Sequence, residues 1–159
     1  VKYFNALDRE ENLFKDHARL SLNAAELDAA KKLFSPDYFN CMQCHIVGKK
    51  MPSGSGDNLA PDLALAHARL EADWVISWIK NPSAIMPGTK MPTFYDPATY
   101  DSAGPEDVLS GDENEQIRVL RNFLMNITEY APELQVQTAA PAQTQPAPAS
   151  SEETDFWGQ

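Results

Sequence analysis

Both cysteines of the chain and one of its three histidines stand together in the stretch Asn40-Cys-Met-Gln-Cys-His-Ile46. Two residues separate Cys41 from Cys44, and His45 follows directly. Three chemistries use a Cys-x-x-Cys pair. A redox dithiol is expected in a thioredoxin-like βαβ setting, and no such pattern surrounds this one. A zinc centre wants four ligands; Cys41, Cys44 and His45 give three, and no second cysteine pair completes the set. The third is covalent haem attachment, for which Cys-x-x-Cys-His is the expected spacing. There the thiols add across the two vinyl groups on one porphyrin edge, and the next residue sets an imidazole nitrogen on the iron. The plain alternative is a chance match of two buried, inert cysteines with a histidine.

Iron held by one imidazole has an opposite face to fill. A thioether there is soft and uncharged, favours reduced iron and raises the potential. The methionines are Met42, Met51, Met86, Met91 and Met125. Met42 lies inside the attachment loop and cannot swing to the other face. Met125 stands beside Leu124 on an apolar helix, an ordinary core place. Met51 is in a Gly/Ser loop. Met86 and Met91 flank Pro87-Gly88, and Pro87 and Pro92 stiffen the loop that carries Met91. His67 is the competing ligand; its ordinary reading is a polar residue at a loop–helix junction. His17 is read as solvated or packed on an amphipathic face.

Helices must position these groups, because no segment alternates with period two. Asp8-x-x-Glu11 could cap a short helix with Leu13, Phe14 and His17 on one face. Asn23-Ala-Ala-Glu26 is a capping-box pattern, after which Leu27, Ala30 and Phe34 share a face until Pro36 ends the run. The stretch from Glu71 predicts a second helix, with Trp74, Val75, Trp78 and Ile79 at helical spacing and Asn81-Pro82 as its stop. Two tryptophans on one helix face are core by default. Ser110-Gly-Asp-Glu113 predicts the start of a third, with Ile117, Leu120, Leu124 and Ile127 on its apolar side. The expected class is all-α. The expected divisions are an arm at 1–22, a domain at 23–131, and a Pro/Ala-rich linker with an acidic-aromatic tail at 132–159.

The motifs "NAAELDAAKKLF", "CMQCH", "NLAPDL", "WIKNPSAIMPGTKMPTF" and "EQIRVLRNFL" resemble, in that order, those of class I c-type cytochromes. The resemblance covers about residues 23–128. It implies the class I cytochrome c fold, three main helices around one haem c held through Cys41 and Cys44. It implies His45 and Met91 as axial ligands, and a carbonyl of Pro61 that accepts from the haem histidine. It suggests Arg69 as a propionate partner, equally readable as a surface arginine. It suggests Trp74 and Trp78 as pocket walls. The arm, the acidic loop after Met91 and the tail depart from the family's minimal pattern.

The function implied is single-electron transfer between larger redox partners, not enzymatic turnover. A five-coordinate haem with peroxidase or gas-sensing activity is the alternative. A fixed subunit of a respiratory or photosynthetic assembly is a further reading, with residues 1–22 and 133–159 as anchors. The chain carries 13 basic and 23 acidic residues, net −10, which argues against nucleic acid and anionic membrane and for partners with basic docking surfaces. Seven acids and no lysine or arginine fall within 96–115. Phe156 and Trp157 behind Glu152, Glu153 and Asp155 suit a short docking peptide. No apolar run reaches membrane-spanning length. Val1 with no leader pattern is expected of a processed product. Haem attachment of this kind points to a periplasmic or otherwise extracytoplasmic place.

Overall fold

The computed structural model describes residues 20–95 and 104–135. The expectations for the arm up to residue 19, for 96–103 and for the tail from 136 fall outside these residues. The described residues are mostly helical and contain no strand; two isolated bridges join His45 to Ala60 and Val47 to Lys50. The chain is all-α in these parts. Its helices are α1 (Ala24–Phe34), α2 (Ala66–Arg69), α3 (Ala72–Lys80), α4 (Pro82–Ile85), α5 (Glu113–Met125) and α6 (Ile127–Tyr130). Three of them, α1, α3 and α5, exceed two turns.

Helix α1 begins where the sequence says. Asn23 Oδ1 accepts the Glu26 N–H at 3.0 Å, and Glu26 accepts the Asn23 N–H at 2.9 Å. Those bonds satisfy donors that a helix start leaves open. Ala30, Leu33 and Phe34 then turn inward onto α5. Phe34 meets Phe123 edge-on, with ring centroids 5.3 Å apart. Leu33, Ile117, Val119 and Phe123 are almost fully buried at this crossing. Burying one large apolar side chain contributes about 1.5–3 kcal/mol. Helix α3 crosses α5 as well, through Ala72, Val75 and Ile79.

Three local expectations need correction. Helix α5 does not start at Ser110. Leu109, Ser110 and Gly111 take positive φ values of 48°, 55° and 71°, and Asp112 caps the helix by accepting the Glu115 N–H at 3.1 Å. Gln116 explains the displacement: its buried amide donates to Pro105 O at 2.9 Å and Val108 O at 2.7 Å, drawing the preceding loop under the helix. Ile127 is buried but lies beyond a break at Asn126, in α6. The tryptophans are not core. Val75 and Ile79 take that role, while Trp74 is 37% exposed and Trp78 is half-buried.

The N-terminal end of the described chain is tied to α5 and α6. The Asn122 and Asn126 amides donate to Ser21 O and Leu20 O, and the Leu22 N–H donates to Tyr130 Oη at 3.0 Å. Acids at the far end are similarly engaged. Asp107 pairs with Lys32 at 2.7 Å and accepts from Tyr38, while Glu113 pairs with Lys80 and Glu115 with Arg118, both at 2.9 Å. With Asp112 capping α5, much of the acidic run within 104–115 is internally spent. No helix among the described residues is long and apolar enough to cross a membrane.

Candidate functional site

Asn40 adopts a left-handed conformation, φ 48°, and turns the chain into one tight helical turn over Cys41–Gln43. The His45 N–H donates to Cys41 O at 3.0 Å, so Cys41, Cys44 and His45 share a single turn. Both cysteines are free thiols and half-buried. Burial pushes the Cys41 thiol up to about 12. A thiol so protonated is a poor exchange nucleophile at neutral pH. No three His, Cys, Asp or Glu side chains among the described residues form a group that could hold a bare metal ion.

His45 is oriented from behind. Its Nδ1 lies 2.8 Å from Pro61 O, and since a carbonyl only accepts, Nδ1 carries the proton and donates. The lone pair is therefore on Nε2, the nitrogen left for a metal. Burial lowers the His45 pKa, and the Pro61 contact opposes that in part. The net direction favours the neutral imidazole, which is the ligating form.

The segment that supplies Pro61 is fastened along the cysteine turn. Ala60 N–H donates to Cys44 O and Leu63 N–H to Ile46 O, both at 2.9 Å. Asp62 Oδ1 accepts from Gly48 N at 2.8 Å and Ala64 N at 2.9 Å. Upstream, Ser53 N–H donates to Met42 O and Gly54 N–H to Gln43 O, both at 2.9 Å. Gly54 permits that approach, because a Cβ there would stand 2.4 Å from Gln43 O.

Met91 sits on the loop after α4. Its backbone N–H donates to Thr89 Oγ1 at 3.3 Å, and its Sδ accepts from Trp78 Nε1 at 2.8 Å. Trp78 in turn stacks on Trp74, with centroids 5.1 Å apart and planes 14° from parallel. The sulfur thus stands on an aromatic shelf made by α3. The other methionines differ: Met51 and Met86 are 61% and 57% exposed, Met42 is half-buried in the cysteine turn, and Met125 is core. His67 and Arg69 both lie exposed on α2.

The structure thus joins His45 to Pro61, and Met91 to Trp78 and through it to Trp74. No hydrogen bond joins His45 to Met91. A link between the two halves comes from Lys90, whose ammonium donates to Asp57 O at 2.9 Å and Asn58 Oδ1 at 3.4 Å. Sequence reasoning missed Lys90, Asp62 and Gly54. Asp62 carried a local signal, an acid two residues before an amide it caps; Lys90 carried none.

The donor set fits a covalent haem better than it fits a bare ion or a dithiol. It offers two thiols within one turn, a neutral imidazole with Nε2 open, and a thioether on a stiff separate loop. Compared with family models, with curated proteins and with solved structures, the chain gives no match.

Proposed function

We propose that this chain is a monohaem c-type cytochrome of the class I kind, carrying single electrons between larger redox proteins. The observation that carries the reading is the His45 imidazole, next to Cys-x-x-Cys, with its Nδ1–H fixed on Pro61 O and its Nε2 open. Haem c, when bound, supplies a one-electron iron couple whose potential follows from its ligands and burial. Cys41 and Cys44 would tether it, and His45 and Met91 would hold its iron. Pro61 holds the imidazole's tautomer. The crossing of α1 and α3 over α5 is in keeping with the class I cytochrome c fold. Redox partners, an extracytoplasmic location and a role for the arm and tail in a respiratory or photosynthetic assembly remain part of this proposal.

The test is the intact mass of the denatured protein from cells that mature c-type haem. The expected result is polypeptide plus one haem, with Cys41→Ser leaving at most one thioether. A mass equal to the bare chain ends the reading.

One observation favours a second reading, a five-coordinate haem open to peroxide or a gas. The Met91 sulfur already accepts the Trp78 N–H and could stay there. A thioether sulfur has a second lone pair, so the bond does not forbid iron ligation. Carbon monoxide added to the reduced protein separates the two: slow, partial binding fits His/Met ligation, and fast, complete binding fits an open iron.

A further inference from the structure

Residues 53–60 belong mechanically to the His45 half of the site. Ser53, Gly54 and Ala60 all donate backbone N–H groups to carbonyls of Met42, Gln43 and Cys44. The turn Gly56–Asn58 within this segment is held in shape by Ser55, whose Oγ accepts the Asp57 N–H at 3.3 Å and whose carbonyl accepts the Asn58 N–H at 3.1 Å. Its outer carbonyl is therefore a fixed acceptor. Met91 belongs to the other half, carried by the loop after α4 and seated on Trp78. Lys90, the residue before Met91, reaches across to Asp57 O and Asn58 Oδ1.

We propose that Lys90 is a strap that keeps the Met91 loop closed over the site, and so sets how often the position opposite His45 opens to small ligands. The proposal rests on the haem reading above. Met91 cannot move away without its loop, and its loop cannot move far without releasing Lys90. The strap is not an ion pair. Its acceptors are a main-chain carbonyl and a neutral amide, while the Asp57 carboxylate lies 3.4 Å from Ser55 Oγ instead. A charged donor on neutral acceptors is stronger than a neutral bond, but this one is exposed, so water competes for it. The device is accordingly a bias, not a lock. With haem bound, the closed loop would keep Met91 available to the iron, as an electron carrier requires, and the open loop would withdraw it, as the alternative reading requires.

The test uses the haem-loaded protein and its variants, with two measurements. One is the rate at which carbon monoxide combines with the reduced protein. The other is amide hydrogen exchange across residues 86–93. Lys90→Leu is expected to raise both by roughly two- to fivefold, the reach of one exposed charged contact. Lys90→Arg, which keeps a donor at the same place, should return both towards wild type. Asp57→Asn should leave both unchanged, because the acceptor is the carbonyl and not the carboxylate. Lys90→Leu indistinguishable from wild type in both measurements overturns the strap, and so does an Asp57→Asn effect as large as that of Lys90→Leu. If the matured chain carries no haem, the functional reading falls on its own, and hydrogen exchange in the same variants still decides the strap.

Discussion

The indole N–H of Trp78 donates to the sulfur of Met91 at 2.8 Å, from a ring that is itself stacked on Trp74. A sulfur that accepts a hydrogen bond gives less electron density to a metal. It therefore supports oxidised iron less well than a bare thioether does.

Trp78→Phe removes that donor and keeps a ring to stack on Trp74. In the haem-bearing protein the reduction potential should fall by about 20–60 mV, the one-electron equivalent of one neutral hydrogen bond. A redox-titrated visible spectrum measures it. An unchanged potential would place the Trp78 N–H away from the sulfur once haem is bound.

Met91→Ala should abolish the weak long-wavelength sulfur-to-iron absorption of the oxidised protein, lower the potential and let carbon monoxide bind freely. His67→Ala should do none of this, since His67 lies exposed on α2. The reverse pattern would make the iron bis-histidine.

Local signals in the sequence located α1 and α3 because their start and stop signals are contained within a few residues. Asn23 and Glu26 cap each other, and Asn81-Pro82 ends α3. The start of α5 was displaced by Gln116, which holds carbonyls eight and eleven residues back. No local pattern contains that contact. The faces of α3 were ambiguous for a different reason. Trp74 and Trp78 are as apolar as Val75 and Ile79, so periodicity alone could not say which pair meets α5. At the candidate site, the spacing marked Cys41, Cys44 and His45 as one group, which the structure holds in one turn, and the family resemblance singled out the Pro61 carbonyl that meets His45 Nδ1. The Lys90 contact spans 33 residues to a backbone carbonyl, which has no side-chain signature.

Acid should weaken the fold through two carboxylates. Glu26 is held below its ordinary value by the Asn23 backbone N–H and then by Arg118, and Asp107 by Lys32 and then Tyr38. Both therefore bind fewer protons folded than unfolded, so their stabilisation is present above their ordinary values, 4.5 for Glu26 and 3.8 for Asp107. It is lost as pH falls from there through the lowered folded values. Denaturation midpoints taken from pH 6 downwards should drop below about pH 4.5. Glu26→Gln should start less stable at pH 6 and show a shallower drop. An equally steep drop in the variant would assign the acid sensitivity elsewhere.

Gly54→Ala tests whether the loop at 53–54 supports the cysteine turn. The new Cβ would stand 2.4 Å from Gln43 O, closer than such atoms approach without movement, and the obstacle is backbone, which cannot rotate away. The loop must lift, and the bonds from Ser53 to Met42 O and from Gly54 to Gln43 O lengthen or break. Forced overpacking of this kind costs about 1–3 kcal/mol. Chemical denaturation should register that loss. Because the same loop carries the acceptors of Lys90, the variant should also combine with carbon monoxide faster than wild type once reduced. A destabilised Gly54→Ala protein with wild-type carbon monoxide kinetics would mean that the loop braces Cys41–Cys44 but does not transmit its position to Met91.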